Sequence, residues 1–241
     1  MKNKIFLLFF ILSIGLSSQT KQGEIIYKVF SDKNNKKNIL ENDKISESQK
    51  QIALAFIKNT TSINCILKFK NYESLFYIEK GLNDPKNKIL KISAGGNDII
   101  YTNTNKNKEI IISKETLGQF FLVSKKFIDW ELTNQSKVIN GYKSFKAKGN
   151  KTVDTPNGIK IVHIIAWYTP EINIPFGPNI YNSLPGLILE LHEGNLIYQV
   201  TKINLNKEIT INKPIKGKKI TDKELNQIFK KLYNERKKRN R

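Results

Sequence analysis

The sequence predicts a mainly β domain of the α+β class: a curved antiparallel sheet covered by one or two helices. Three observations predict it. Runs of β-branched and aromatic residues recur about every ten residues, separated by Asn, Lys, Gly and Asp. Two of the separators, Thr155-Pro156-Asn157-Gly158 and His192-Glu193-Gly194-Asn195, carry residues that tolerate positive φ between apolar runs, as hairpins require. Helical periodicity behind a capping box occurs in two places, near Ser46 and near Thr221. With 241 residues, 39% of them hydrophobic and 10% aromatic, the chain can fill one real core.

Taken in order, the first element is not part of that domain. Lys2 and Lys4 precede a 12-residue uncharged run, 5–16, and small or polar Ser17, Ser18 and Gln19 follow. A membrane span needs about 20 apolar residues, so residues 1–18 read as a cleaved signal peptide, cut after Ser17 or, by preference, after Ser18. The product is then exported, periplasmic or secreted, with no transmembrane span in the mature chain. No Cys follows the apolar run, which excludes a lipoprotein anchor.

Residues 19–241 form the single predicted domain. Its candidate strands are 24–30, 62–70, 73–80, 97–102, 109–113, 130–133, 142–148, 158–168, 186–192 and 196–205. In 158–168, Ile159, Ile161, His163, Ile165 and Trp167 alternate with Lys160, Val162, Ile164, Ala166 and Tyr168. Both faces turn apolar toward its end, which places it in the sheet interior. Ser46 and Gln49 cap a helix over 46–58. Thr221 and Glu224 cap a second over 221–241, whose Leu225, Phe229 and Leu232 form the docking stripe. The Asn- and Lys-rich stretches 32–42, 83–91 and 103–108 read as loops.

Charge is the loudest property. The chain holds 41 basic against 21 acidic residues, a net +20, yet 38 of the cations are Lys and all three Arg lie in the last six residues. Phosphate and base recognition favours the planar Arg fork, and abundant Lys, Asn and Ile together match the codon drift of an AT-rich genome. With the export signal this excludes nucleic acid as a partner. Residues 216–241 alone carry 11 basic and three acidic side chains. The exposed end of that helix, Lys237, Lys238, Arg239 and Arg241, is a candidate polyanion contact beside the plainer reading of a solvated helix end.

Between Ala166 and Leu191 stands the densest unusual sequence: Ala166-Trp167-Tyr168-Thr169-Pro170-Glu171-Ile172, then Pro175, Gly177-Pro178, then Leu184-Pro185-Gly186-Leu187-Ile188. It resembles the GLPGLI family of small exported Bacteroidetes proteins, with Ser183 in place of the first motif Gly. Trp130-Glu131-Leu132, Gly141-Tyr142 and Lys146-Ala147 fit the same pattern, so the resemblance spans roughly 24–205 and is specific from 130 to 191. Many relatives carry a Cys after the Gly-Tyr element, where this chain has Ser144 and Phe145, so no thiol role carries over. The resemblance implies an exported envelope protein of unestablished activity and supplies no catalytic residue. Physically, Pro170, Pro175, Pro178 and Pro185 each fix φ and remove a donor, so 170–186 is a rigid crossover loop with Pro185-Gly186 in a type II turn. The motif residues Trp167, Pro170, Gly177, Pro178, Leu184, Pro185, Gly186, Leu187 and Ile188 therefore read as structural: the loop either plugs one end of the core or lips a ligand groove.

Candidate chemistry is sparse. His163 and His192 are the only histidines and match neither HxH nor HExxH spacing, which gives no zinc set. Cys65 stands alone inside an apolar strand and reads as a small buried hydrophobe. No GxSxG elbow exists, and no cofactor is expected. The residues thus fit a non-catalytic envelope module that binds or carries an apolar ligand or peptide. Its half-barrel would resemble periplasmic lipoprotein carriers of the LolA type. A secreted hydrolase is the alternative, using Glu171 with Glu190 or Glu193, or the two histidines. A second alternative is polyanion or anionic-lipid binding by the basic tail. Envelope lipid, lipopolysaccharide or a membrane-associated protein are the expected partners.

Overall fold

The computed structural model describes residues 21–33, 39–41, 43, 46–59, 61–81, 85–155 and 158–239. The predicted signal peptide 1–18 lies outside them. Twelve strands form one sheet: β1 (Gln22–Ser31), β2 (Ile63–Lys70), β3 (Glu73–Ile78), β4 (Ile99–Asn103), β5 (Glu109–Thr116), β6 (Gln119–Lys125), β7 (Trp130–Ile139), β8 (Tyr142–Thr155), β9 (Gly158–Thr169), β10 (Leu187–Glu193), β11 (Leu196–Asn204) and β12 (Lys218–Thr221). Among the described residues three helices accompany it: α1 (Glu47–Asn59), α2 (Lys88–Ser93) and α3 (Asp222–Arg239).

The strand order is β12-β6-β5-β4-β3-β2-β1-β11-β10-β9-β8-β7. Two antiparallel meanders therefore meet where β1 pairs with β11, and only the short β12 runs parallel to its neighbour, β6. This order forces curvature. In a flat sheet β6 and β7 would stand ten strand spacings, about 48 Å, apart, whereas residues 126–129 can span no more than about 18 Å. The sheet consequently curls into an open half-barrel whose two edges approach each other. Phe127 and Ile128 of the connecting segment pack on the core as they cross.

Strand periodicity decides which face is inside. In β1, Ile25, Tyr27 and Val29 are fully buried while Lys28 is exposed; in β2, Ile63, Cys65, Leu67 and Phe69 face the same core. The inner set of β9 is Ile164, Ala166 and Tyr168, and the outer set, Ile159 to Trp167, is exposed or half-buried. As its pattern predicts, β9 lies in the sheet interior, between β8 and β10. The predicted Pro156-Asn157 turn lies outside the described residues, but β8 and β9 pair up to Thr155 and Gly158. Gly194 takes φ 58° in the β10–β11 hairpin.

Both capping boxes form. The Gln49 amide donates to Ser46 Oγ (3.3 Å) and the Ser46 amide to Gln49 Oε1 (2.9 Å). At α3 the Glu224 amide donates to Thr221 Oγ1 (3.2 Å) and the Thr221 amide to Glu224 Oε2 (2.6 Å). The docking stripe of α3 differs from expectation. Leu225 is buried against Phe121, Val123 and Ile220, but Phe229 is exposed, and Ile228 and Leu232 take the half-buried positions. A Lys230–Asp154 ion pair (2.8 Å) then ties α3 to the far end of β8.

Three further elements correct the sequence reading. The stretch 83–91 is not wholly loop, because a 3₁₀ turn (Pro85–Asn87) leads into α2. Neither β6 nor β12 was expected. The β5–β6 turn carries Leu117 at φ 55° and Gly118 at φ 71°, and a Leu in the left-handed region is not a residue that announces a turn. The parallel β12 is four residues long and has a partner only because the 206–217 segment delivers it to β6.

Candidate functional site

The 170–186 loop enters the half-barrel and packs on its inner face. Ile172, Ile174, Phe176, Ile180, Tyr181 and Leu184 are buried in the same cluster as the inner faces of β1, β2 and β10. Phe176 and Phe69 stack with ring centroids 6.3 Å apart, Tyr181 and Trp130 6.2 Å apart, and Trp130 Nε1 donates to the Asn182 carbonyl (2.9 Å). Lacking four amide donors, the loop satisfies its carbonyls from elsewhere in the crossover. The Ser183 amide donates to Pro175 O (2.8 Å), Leu187 to Ile172 O (3.0 Å) and Ile188 to Phe176 O (3.1 Å). Tyr27 seals it with a hydroxyl bond to Ile188 O (2.7 Å).

Individual motif residues have distinct surroundings. Gly177, Pro178, Leu184, Leu187 and Ile188 are buried, whereas Pro170 and Pro185 are exposed. Gly186 has φ 152°, and a Cβ there would meet Thr169 O at 2.0 Å. The Gly186 amide donates to Leu184 O (2.8 Å) while that of Leu187 bonds Ile172, so Pro185-Gly186 forms a tighter three-residue turn in place of the expected type II turn. Ser183, where the GLPGLI pattern has Gly, holds φ 69°. Trp167 lies on the outer face beneath Lys137 (4.4 Å from Nζ to ring centroid) and Lys146 (5.9 Å).

Of the candidate acid, base and nucleophile groups, the structure brings His192 and Glu190 together and gives the others separate surroundings. His163 Nδ1 contacts Asn150 Oδ1 (2.8 Å) and lines an outer hollow with Asp129, Trp130 and Glu131, which neither His192 nor Glu171 lines. His192 Nε2 contacts Glu190 Oε1 (2.7 Å), which also accepts from Lys137 Nζ (2.8 Å). Burial raises the Glu190 carboxyl, but the bonds from His192 and Lys137 outweigh it and hold the group below its ordinary range. Glu171 accepts from the Lys143 amide (2.9 Å), and Glu193 pairs with Lys151 (2.6 Å). Cys65 is fully buried, and burial, followed by the Glu79 charge, pushes its thiol up to about 12. Among the described residues no cluster of three or more His, Cys, Asp or Glu side chains could hold a metal, and no helix is long and apolar enough to cross a membrane.

The inner side keeps a hollow of about 210 Å³ beside Ile100, Ile112, Val123, Ile180 and Leu225, and a roomier one lies outside. The 206–217 segment leaves β11 and crosses the convex face: Lys207 pairs with Glu24 (2.7 Å), Lys213 with Glu109, and Lys216 covers the Phe120 ring (3.9 Å). Register puts Ile111, Leu122, Ser124, Lys219 and Thr221 on that face. Between them and Pro214-Ile215 lies a groove of about 620 Å³. Its apolar floor is Ile111 and Leu122, and Ile215, 86% exposed, forms one lip. Lys108, Lys125, Lys213 and Lys219 stand around it with Glu109 and Glu224. Lys213 is paired to Glu109 and Lys125 to Asp222, whereas Lys108 and Lys219 have no carboxylate within salt-bridge reach among the described residues.

None of these groove residues was a sequence candidate. They come from segments about a hundred positions apart, and the one motif among them, the Thr221/Glu224 capping box, marks a helix start and not a ligand site. Of the predicted polyanion contacts, Lys238 and Arg239 are exposed at the end of α3, while Arg241 and the side chain of Lys237 lie outside the described residues.

Residues 156–190 match a family model described as "Protein of unknown function (Porph_ging)", a narrower span than the expected 24–205. No curated protein matches the chain. Two solved structures of PNGF-II, in the P21 and C2 space groups, are each 17% identical at TM-score 0.49 and are covered over 86% of this chain and 32% of theirs. The chain thus spans about a third of the length of PNGF-II, and a likeness at that score carries no argument about function.

Proposed function

We propose that this chain is an exported, non-catalytic binding module of the GLPGLI type, and that it holds an extended amphiphile with an anionic head in the convex-face groove. The observation that carries the reading is the groove itself: about 620 Å³, floored by isoleucine and leucine and rimmed by lysines, a size and lining usual for small-ligand sites. The concave face, where a carrier of LolA type would hold its cargo, is occupied by Phe176, Tyr181 and Leu184 of the protein's own loop. An acyl chain laid along Ile111 and Leu122 is covered by Ile215, and its carboxylate meets Lys108 or Lys219, neither of which is in an ion pair among the described residues. Export is supported by the Lys2/Lys4 and 5–16 pattern. Membership is supported by the overlap of residues 156–190 with the motif.

Titration with cis-parinaric acid, whose fluorescence rises in apolar surroundings, tests the reading. Ile215→Ser alters only an exposed side chain, and Lys108→Gln with Lys219→Gln removes the two unpaired cations. Each variant should weaken binding by about fivefold or more, as expected for one lost apolar contact or charge partner. Wild-type protein that leaves the probe dark, or variants that bind as wild type, would overturn the proposal.

A further inference from the structure

In an antiparallel meander alternate connections lie at the same end. The strand ends Ser31 and Ile63, Ile78 and Ile99, Thr116 and Gln119, Glu193 and Leu196, and Thr155 and Gly158 therefore gather at one end of the half-barrel; the 170–186 loop enters at the other. Nine of the sixteen exposed large apolar side chains among the described residues sit at that first end. Two groups dominate. In α2, Leu90 is buried and anchors the helix, leaving Ile89 and Ile92, three positions apart, on an outward face at 55% and 66% exposure. At the β9 start, Ile159 and Ile161 alternate onto the same face at 75% and 58% exposure. Ile52 of α1 and Ile89 line a hollow with Val162, which shares with Lys160 the face of β9 opposite Ile159 and Ile161, so the three elements meet while the two pairs of isoleucines stand on either side of the strand.

Lysines are interleaved with these side chains: Lys88 and Lys91 flank Ile89 and precede Ile92, and Lys160 separates Ile159 from Ile161. Neighbouring carboxylates are already neutralised, Glu47 by Lys50 (2.9 Å), Asp98 by Lys114 (2.6 Å) and Asp154 by Lys230 (2.8 Å). Among the described residues Lys88, Lys91 and Lys160 have no such partner.

We propose that this end of the half-barrel docks on a lipid surface bearing anionic headgroups, inserting Ile89, Ile92, Ile159 and Ile161 between headgroups that pair with Lys88, Lys91 and Lys160. Charge chooses the occupant. A second copy would set the same three lysines against themselves, whereas an anionic surface neutralises them. The apolar side chains stand on separate turns and helix faces, an arrangement that suits insertion into a deformable interface better than a shaped protein groove.

Flotation with vesicles of mixed phosphatidylglycerol and phosphatidylcholine, against phosphatidylcholine alone, tests this. Wild type should float with the anionic vesicles at low salt and release at high salt. Ile89→Ser/Ile92→Ser, Ile159→Ser/Ile161→Ser and Lys88→Gln/Lys91→Gln should each lower partitioning about tenfold or more, with wild-type circular dichroism. The proposal is overturned by a wild type that ignores anionic vesicles, by isoleucine variants that float as wild type, or by loss on substituting Lys238 and Arg239 alone. Concentration-dependent self-association that the isoleucine variants abolish, without flotation, would assign the surface to a second copy instead. Ile215→Ser should leave flotation unchanged, so the groove and this surface stand or fall separately.

Discussion

Replacing Gly186 by Ala tests how the motif loop is held. The residue sits at φ 152°, and a Cβ built on it would lie 2.0 Å from Thr169 O, 2.5 Å from Thr169 C and 2.9 Å from Pro170 N. These are backbone atoms at the last pair of the β9–β10 ladder, Thr169 opposite Leu187, so no side-chain rotation relieves the overlap. Ordinary contact begins near 3.4 Å, and reaching it requires the β9 end and the loop to part by more than an ångström. An L-residue at such a φ costs about 1–3 kcal/mol, and overpacking of this kind adds about 1–3 kcal/mol more, giving about 4 kcal/mol. Against a typical total of about 5–15 kcal/mol, Gly186→Ala should lower the urea midpoint steeply and the melting temperature by about 10 °C or more. Gly194→Ala is the control: its φ is 58° with nothing within 4 Å of the new Cβ, so only the left-handed cost of about 1 kcal/mol remains. Equal losses in the two variants, or a loss under about 1 kcal/mol at Gly186, would refute the close approach.

Three other outcomes follow from the same geometry. Glu190 is held below its ordinary pKa of 4.5, so its contribution to stability is full above that value and fades as pH falls through the lower folded-state pKa. Glu190→Gln should flatten the acid limb of a stability-versus-pH curve, and an unchanged limb would argue against the Lys137–Glu190–His192 arrangement. Native Cys65, fully buried with its thiol pushed up to about 12, should resist a thiol-reactive disulfide reagent at pH 8 and react at once in denaturant; rapid labelling of the folded protein would contradict its burial. Thr221→Ala removes the hydroxyl that caps α3 and should cost about 1 kcal/mol, read as earlier loss of helical circular dichroism; Thr221→Ser should restore it.

Local rules made a large part of the architecture readable. Ten strands were legible because inner positions alternate with period two, as Ile25, Tyr27 and Val29 do, and because Gly194 marks a hairpin without reference to anything distant. Ser46 with Gln49 and Thr221 with Glu224 announced two helix starts by spacing alone. The limits were equally physical. β8 continues to Thr155 through a polar stretch, Gly149-Asn150-Lys151-Thr152, that looks like loop and is strand because β9 pairs with it. The position of Phe229 on α3 depends on where the helix meets Phe121 and Val123, which the helix cannot encode. Of the candidate site, Lys238 and Arg239 of the basic tail were visible, and the groove was not.

The sequence by itself determined the mainly β class, the places of ten strands along the chain, two helix caps and the stiffness of the proline loop. Each of these is a property of neighbours within a few positions. Tertiary structure alone decided how far the predicted curvature runs, until four residues join β6 to β7, that the loop packs on the concave face, and that Leu122 and Ile215 share a groove while the isoleucines of α2 and β9 share an end. Those outcomes depend on contacts between segments tens to more than a hundred residues apart, whose geometry is set only when the whole sheet is assembled.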